Sequence, residues 1–200
     1  MSLKIIGLCG GSGSGKGAVG NIFSKNGYLT IDTDKVYRDI TDNKSKCLDA
    51  LICEFGAEIL NSNATLDRKA LGKIVFNDKK KLRMLNDISH AFILQRVREI
   101  IKEAESLNYC GVVVDAPLLY ESGFHKECDA VVAVIADRDI RIKRIVARDL
   151  IDEESAIKRI DSQISDNELS ARADYTIVNN EGLAVLEARV TDFIKRFEQE

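Results

Sequence analysis

The stretch Ile5-Ile-Gly-Leu-Cys-Gly-Gly-Ser-Gly-Ser-Gly-Lys16 decides the fold of this chain. Its first five residues form the apolar run of a buried strand. The apolar residues Val19, Ile22 and Phe23, which follow Lys16, have the spacing of one helix face. The glycines between strand and helix allow a tight turn that directs backbone N–H groups inward, and the helix N-terminus and the lysine add positive charge. This order predicts a site for the phosphates of a nucleotide.

The loop follows the P-loop pattern G-x-x-x-x-G-K from Gly10 to Lys16. The serine or threonine that normally follows the lysine is absent, because positions 17 and 18 are glycine and alanine. An ordinary glycine-rich turn is the alternative, but the flanking strand and helix favour nucleotide binding. The residues predicted to bind the nucleotide here are Gly11, Ser12, Gly13, Ser14, Gly15, Lys16, Gly17 and Ala18.

The composition is that of a globular protein, with 200 residues, 45% of them apolar, and a net charge of −3. This charge provides no attraction to nucleic acid or to an anionic membrane, and we expect neither as a partner. We also expect no membrane-spanning segment and no signal peptide. The five cysteines are scattered without a C-x-x-C pair, which predicts a reduced, cytoplasmic protein whose thiols are small buried side chains.

Four further runs read as buried strands, and together with the first they predict an α/β fold. Continuous apolar strands that alternate with helices are typical of a parallel sheet covered by helices on both faces. The carboxyl ends of such strands meet at one edge, where ligands bind. The four runs are Tyr28–Asp32, Gly111–Asp115, Ala130–Ile135 and Tyr175–Val178.

The chain between residues 32 and 111 is predicted to be mostly helical. Leu82, Leu85 and Ile88 are spaced for one helix face, and Val97 and Ile101 continue that face. The stretch is longer than a simple crossover between strands requires, so it should form a lobe. A second amphipathic helix is predicted over 183–197, packed on the core.

Carboxylates follow two of the predicted strands. In an extended segment residues i and i+2 share a face, so Asp32 and Asp34 are predicted to reach the same pocket. A carboxylate that orients and deprotonates a hydroxyl assists phosphoryl transfer, and we assign this role to Asp34. Asp32 is then a structural or Mg²⁺-binding residue, and the alternative for either is a helix cap. Asp115 is predicted to hold Mg²⁺ through water or to position the substrate, with a helix cap again as the alternative.

Three arginines, Arg141, Arg144 and Arg148, lie within about 60° of arc on one predicted helix. A solvated charged face is the alternative, but guanidinium groups suit phosphate oxygens. We therefore assign Arg144 and Arg148 to a lid that closes on a phosphate group, and leave the roles of Arg141 and Arg159 open. On these grounds alone neither histidine receives a catalytic role.

Motifs along nearly the whole chain resemble those of the dephospho-CoA kinases, which are P-loop kinases related to the nucleoside-monophosphate kinases. The matching segments, in the family's order, are 7–16, 31–34 with Arg38, 66–71 with 75–76, 88–90, 115–121, Arg144 with 148–149, Arg159 with Gln163, and 177–180 before Gly182. The resemblance implies transfer of the ATP γ-phosphate to the ribose 3′-hydroxyl of dephospho-CoA, with Mg²⁺ as cofactor. It thus implies ATP and dephospho-CoA as binding partners of this chain.

The resemblance also implies roles for individual residues. Lys16 would bind the β- and γ-phosphates, Asp34 would be the base, and Arg144 would act with Lys16 on the transferred group. The acceptor side would include Asp34, Arg68, His90, Asp115 and Leu118. The whole chain would be one P-loop kinase domain with a core at 1–36 and 110–200, an acceptor-binding lobe at 37–109 and a lid at about 138–170. We expect a monomer or a small homo-oligomer.

Two departures from the family pattern bear on these expectations. The family usually has Lys-Ser-Thr at 16–18, so a hydroxyl ligand for Mg²⁺ is missing here, and we expect weaker metal or ATP affinity rather than inactivity. Ala91 follows His90 where the family commonly has proline. Two alternative functions stay open: a related kinase for a nucleoside or nucleotide, and a nucleotide-binding regulator that has lost catalysis.

Overall fold

The computed structural model describes residues 3–199 and contains a five-stranded parallel sheet. The strand order is β2-β3-β1-β4-β5, so the strand that leads into the glycine loop is central. Gly7 of β1 lies opposite Val114 of β3 on one side and Val131 of β4 on the other. The strands are β1 Ile5–Cys9, β2 Tyr28–Asp32, β3 Gly111–Asp115, β4 Ala130–Ile135 and β5 Tyr175–Val178. The five predicted strands and the α/β class are therefore confirmed.

The helices that the structure describes are α1 Lys16–Lys25, α2 Thr33–Asp42, α3 Lys46–Phe55, α4 Arg68–Val75, α5 Lys79–Ala104, α6 Arg138–Asp149, α7 Glu153–Asp161, α8 Asp166–Arg172 and α9 Leu183–Phe197. The periodic apolar residues that predicted α1, α5 and α9 lie in these helices, as expected. No helix in this part of the chain combines the length and the apolar character needed to cross a bilayer.

Side chains of β1 alternate between the two faces of the sheet, as a strand requires. Ile6 and Leu8 are fully buried in a cluster with residues of α1 and α9, among them Phe23 and Phe193, whose rings meet edge to face with centroids 6.0 Å apart. Gly7 faces the other side, where a Cβ would lie 2.9 Å from the Leu119 side chain. Burial on both faces holds β1, and hence the start of the glycine loop, in a fixed position.

The chain divides into two compact units. One contains the described residues up to Ile31 and from Ala104 onward, and the other contains Asp32–Glu103. The second unit has its own core, which includes Leu51, Ile59 and Val75. Its helices begin at side-chain caps: the Ser45 hydroxyl accepts from Leu48 N–H at 3.1 Å and the Asp67 carboxylate from Lys69 N–H at 2.9 Å.

Two local expectations are wrong. The helix α2 begins at Thr33, so Asp34 lies in a helical turn and the argument that it shares an extended face with Asp32 does not apply. Cys53 and Cys110 are exposed rather than buried. Cys53 lies off the apolar face of α3, and Cys110 lies in the turn before β3.

Candidate active site at the glycine loop

The loop between β1 and α1 takes a shape that depends on its glycines. Gly13 and Gly15 have φ of 78° and 98°, in the left-handed region that side chains with a Cβ rarely adopt. Ser14 N–H donates to the Gly11 carbonyl at 3.2 Å, which closes a turn. The helix α1 begins directly afterwards at Lys16. Ala18 and Val19 donate to the Gly15 carbonyl, whereas the N–H groups of Lys16 and Gly17 have no acceptor within residues 3–199. These groups and the helix dipole favour an anion at this position.

An asparagine after β5 anchors the loop. Asn179 is 5% exposed, and its side-chain amide donates to the Ser14 carbonyl at 2.8 Å. A Cβ at Gly15 would lie only 2.1 Å from the same amide nitrogen. Reasoning from the residues missed this contact, because Asn179 stood out only as part of a family motif. The signal that could have found it is a polar residue at the carboxyl end of a predicted strand.

Lys16 and Asp115 lie together beside the loop. The Lys16 ammonium is 3.4 Å from the Asp115 carboxylate, and each side chain is less than one-fifth exposed. The contact follows from topology, since Asp115 ends β3 next to β1 and is in register with Leu8. Burial raises the pKa of the neighbouring Cys9 thiol to about 11 although Lys16 opposes the change. This thiol therefore stays protonated at neutral pH and is no nucleophile there.

The arginines of α6 divide into two groups. Arg144 donates to the Gly13 carbonyl at 3.3 Å, so it contacts the loop, and its role toward ATP stays a prediction. Arg148 instead donates to the Asp149 carboxylate at 2.7 and 2.9 Å, and Arg159 donates to the same carboxylate. The hydrogen bond from Arg148 lowers the pKa of Asp149 to about 2. The predicted role of Arg148 toward ATP thus requires it to leave this ion pair.

The two carboxylates that follow β2 have different environments. Asp32 caps α2, because its carboxylate accepts from the N–H groups of Asp34 at 2.9 Å and Lys35 at 3.1 Å. Asp34 occupies the first turn of the helix and is exposed. Within residues 3–199 its carboxylate has neither a hydrogen-bond partner nor an ion-pair partner. Of the two, Asp34 is therefore the one whose oxygens are available to an incoming hydroxyl.

The second unit holds the residues predicted for the acceptor. Arg68 donates to the Thr41 hydroxyl and the Asp42 carboxylate, both at 2.9 Å. Burial raises the pKa of Tyr37, while Ser89 and Arg68 act against that change, so these three side chains lie near one another. His90 follows Ser89 in α5 and is half-buried. The sequence interpretation assigned no role to Tyr37, for which no motif gave a signal, or to Ser89, which stood out only as part of the matching segment 88–90.

Metal ligands are sparse throughout the described residues. No group of three or more histidine, cysteine, aspartate or glutamate side chains is placed to hold an ion there. Leu118, predicted on the acceptor side, is exposed in the turn after β3. The amide-lined loop, with Lys16 and Arg144 as cations, is instead suited to a polyphosphate that brings its own metal ligands.

Comparison with protein families places the chain among known enzymes. A sequence model of the dephospho-CoA kinase family matches residues 4–184. The dephospho-CoA kinase of Fusobacterium nucleatum is 40% identical over 193 residues, which are 96% of this chain and 98% of that protein. That of Lactobacillus johnsonii is 33% identical over 190 residues, 95% of this chain and 96% of that protein.

Solved structures resemble the fold over the same length. The structure of TT1252 from Thermus thermophilus superimposes with a TM-score of 0.80 at 28% identity and covers 98% of both chains. Dephospho-CoA kinase from Campylobacter jejuni gives a TM-score of 0.71 at 27% identity, covering 98% of this chain and 97% of that one. Shikimate kinase from Acinetobacter baumannii, at 17% identity and a TM-score of 0.59, shares the fold.

Proposed function

The chain belongs to the dephospho-CoA kinase family, and from this premise we propose how its own residues carry out the reaction. The family catalyses the last step of coenzyme A synthesis, in which the γ-phosphate of ATP is transferred to the 3′-hydroxyl of dephospho-CoA. The observation that carries the proposal is the glycine loop, flanked by Lys16 and Arg144, at the centre of the sheet.

The loop binds the phosphates of ATP. Backbone N–H groups at the start of α1 face the β-phosphate, and Lys16 reaches the β- and γ-phosphates. Arg144 donates to the Gly13 carbonyl of the loop, and in this proposal its guanidinium binds the transferred group. These cations oppose the charge that spreads over the γ-phosphate oxygens during transfer. Arg148 joins them after leaving Asp149.

Asp34 acts as the base. In this proposal its carboxylate accepts the proton of the acceptor 3′-hydroxyl as the oxygen attacks the γ-phosphorus. Support comes from its place two residues after β2 and from a carboxylate that its neighbours leave unbonded. Residues of the second unit bind the rest of the acceptor, with Arg68 and His90 as the proposed contacts, and Asp115 and Leu118 contribute after β3.

The residues present fit a Mg²⁺ ion that arrives with ATP. Mg²⁺ in such sites keeps several waters and takes one or two protein carboxylates, so a cluster of three is not required. Asp115 is the proposed ligand, directly or through water, and Asp32 is a weaker second one because its carboxylate already caps α2. When bound, the ion neutralises charge on the outer phosphates.

The same premise bears on the cellular location, the binding partners and the oligomeric state. All five cysteines are free, which supports the proposed cytoplasmic location. ATP and dephospho-CoA are the proposed binding partners. The expected oligomeric state, a monomer or a small homo-oligomer, stays a prediction that light scattering can test.

The proposal is tested with a panel of acceptors and ATP, with products identified by mass spectrometry. We expect dephospho-CoA to gain one phosphoryl group with a higher kcat/KM than any nucleoside or nucleotide in the panel. Coenzyme A, whose 3′-position is already phosphorylated, is the matched control and should gain none. A better nucleoside acceptor would favour the related-kinase alternative. ATP binding without any phosphorylated product would favour the regulator.

Restoring the missing hydroxyl at position 17 is expected to strengthen Mg·ATP binding. A Cβ at Gly17 has nothing within 4 Å, so a serine fits without displacing a neighbour. A hydroxyl that binds the metal in place of one water should lower the apparent Kd for Mg·ATP by roughly fivefold. Gly17→Ala is the control, since it stabilises the helix without adding a hydroxyl. Mg²⁺ titrations at fixed ATP measure the effect, and equal shifts in both variants would contradict this assignment.

A further inference from the structure

Arg141 is a buried cation whose guanidinium group supports the glycine loop. Only 4% of it is exposed. Its Nε donates to the Ser12 carbonyl at 2.9 Å, and its Nη1 donates to the Asp166 carboxylate at 2.7 Å. The guanidinium is therefore neutralised by an ion pair and directed at the backbone of the loop. A group held in this way is a fixed support rather than a side chain waiting for ATP.

Gln163, in the turn between α7 and α8, holds the same loop residue. Its Oε1 accepts from Ser12 N–H at 2.9 Å, and its Nε2 donates to the Ser12 hydroxyl at 3.1 Å. Arg141 donates to the same Oε1 at 3.3 Å, which orients the amide. The N–H, the carbonyl and the hydroxyl of Ser12 are thus all engaged by two side chains. Because an N–H has one hydrogen to donate, the Ser12 amide anchors the loop, and the predicted contact of this amide with ATP would require it to leave Gln163.

The loop and Arg141 are packed too closely for a side chain between them. A Cβ at Gly11 would lie 2.1 Å from Arg141 Nη2 and 3.2 Å from Gln163 Oε1. Gly11 itself has no left-handed φ, so the close approach of these two side chains is what excludes a larger residue there. Gly13 adds a second close approach, since a Cβ there would lie 2.6 Å from the Arg141 carbonyl.

We propose that Arg141 and Gln163 are positioning residues for ATP binding, which hold Ser12 so that the glycine loop has its binding shape before the nucleotide arrives. A glycine-rich loop loses much conformational entropy when it is fixed. Because the two side chains fix the loop when the protein folds, this entropy is not lost again when ATP binds. The inference rests on the proposed function to the extent that the loop binds ATP. It does not depend on which acceptor is phosphorylated.

Gln163→Ala is the first test, because the residue is exposed and its loss leaves the Arg141–Asp166 ion pair intact. We expect the Kd for ATP, measured with a fluorescent ATP analogue and no acceptor, to rise about tenfold, as the loss of two neutral hydrogen bonds implies. The KM for dephospho-CoA should stay within about twofold. Gln163→Glu keeps the Oε1 acceptor and should recover part of the affinity.

Arg138→Ala, on the same helix as Arg141, is the control. Arg138 is half-exposed and pairs with Asp161 at the surface, and within residues 3–199 it makes no hydrogen bond to the glycine loop. Its loss should leave the Kd for ATP unchanged. If Gln163→Ala behaves like Arg138→Ala, or if it raises the KM of both substrates equally, the positioning role is wrong.

A double-mutant cycle between Gly11 and Arg141 separates positioning from general damage. Gly11→Ala alone should displace the guanidinium and raise the Kd for ATP about tenfold. In an Arg141→Ala background the same change should add less than about twofold, because the atom that it strikes is gone. If the two substitutions instead raise the Kd for ATP independently, so that the factors of the single variants multiply in the double variant, the proposal is wrong. Wild-type turnover of dephospho-CoA is measured separately, so a failure of the proposed function is not confused with a failure of this one.

Discussion

Lys16→Met is expected to lower kcat/KM for ATP by about 10²–10³-fold, the loss usual for a group that stabilises developing charge. Methionine keeps most of the length and the apolar stem of lysine but removes the ammonium. The change also leaves the Asp115 carboxylate without the cation that lies 3.4 Å from it. A partly buried carboxylate beside the phosphate site repels a polyphosphate, so ATP binding should weaken together with turnover.

The effect of the uncompensated Asp115 charge can be separated from the loss of the ammonium group. In Lys16→Met/Asp115→Asn the repulsive charge is gone, and the affinity for ATP in EDTA, where no metal contributes, should recover relative to the single variant. Turnover should not recover, since the ammonium is still missing. Lys25→Met, an exposed lysine at the far end of α1, is the control and should change neither quantity. A Lys16→Met enzyme with kcat/KM within about threefold of wild type would contradict the role of Lys16.

The sheet could be predicted because each strand is encoded locally. Runs such as Val112 to Val114 are continuous, β-branched and bounded by turn residues, and a strand buried on both faces needs little else. The same holds for the loop, whose glycines and lysine are consecutive. Parallel topology brings the carboxyl end of β3, where Asp115 lies, next to that of β1, and this is the sheet edge at which the sequence predicted a ligand site.

Contacts between distant parts of the chain could not be predicted in this way. Arg141 and Ser12 are 129 positions apart, and nothing in their spacing signals a hydrogen bond. Helical periodicity placed Arg141, Arg144 and Arg148 on one side of a helix and could not distinguish them. In the structure the first is buried under the loop, the second touches it, and the third turns to Asp149, a partner that competes with phosphate for the same guanidinium.

The bounds of β2 were predicted correctly, but the expectation that the chain stays extended as far as Asp34 was wrong. The carboxylate of Asp32 accepts hydrogen bonds from the backbone N–H groups that follow it and so caps a helix, which begins at Thr33. A capping aspartate and a catalytic aspartate look alike in sequence when they lie two positions apart. The structure separates them, because one carboxylate accepts two backbone hydrogen bonds and the other accepts none from the described residues.

Asp34→Asn is expected to lower kcat by about 10²–10⁴-fold, the usual contribution of a general base. Asparagine has nearly the same shape but accepts no proton from the attacking hydroxyl. The Kd for ATP should stay within about twofold, because the proposed contacts of ATP are with the loop and its cations. Asp32 still caps α2 in this variant, so the melting temperature should change only slightly. Single-turnover kinetics with dephospho-CoA measures the chemical step directly.

Two further variants decide what a loss of activity in Asp34→Asn means. Asp39→Asn changes an exposed aspartate of the same helix and should keep wild-type kcat, which excludes a general effect of charge on α2. Asp34→Glu keeps the carboxylate but moves it by about the length of one bond, and a misplacement of that size costs on the order of 10²-fold when geometry matters. A base therefore predicts the order wild type, glutamate, asparagine in kcat, at a constant Kd for ATP. If Asp34→Asn keeps kcat, Asp34 is no base. If instead the Kd for ATP rises while the chemical step is unchanged, the carboxylate serves the nucleotide or its metal, and the acceptor hydroxyl loses its proton elsewhere.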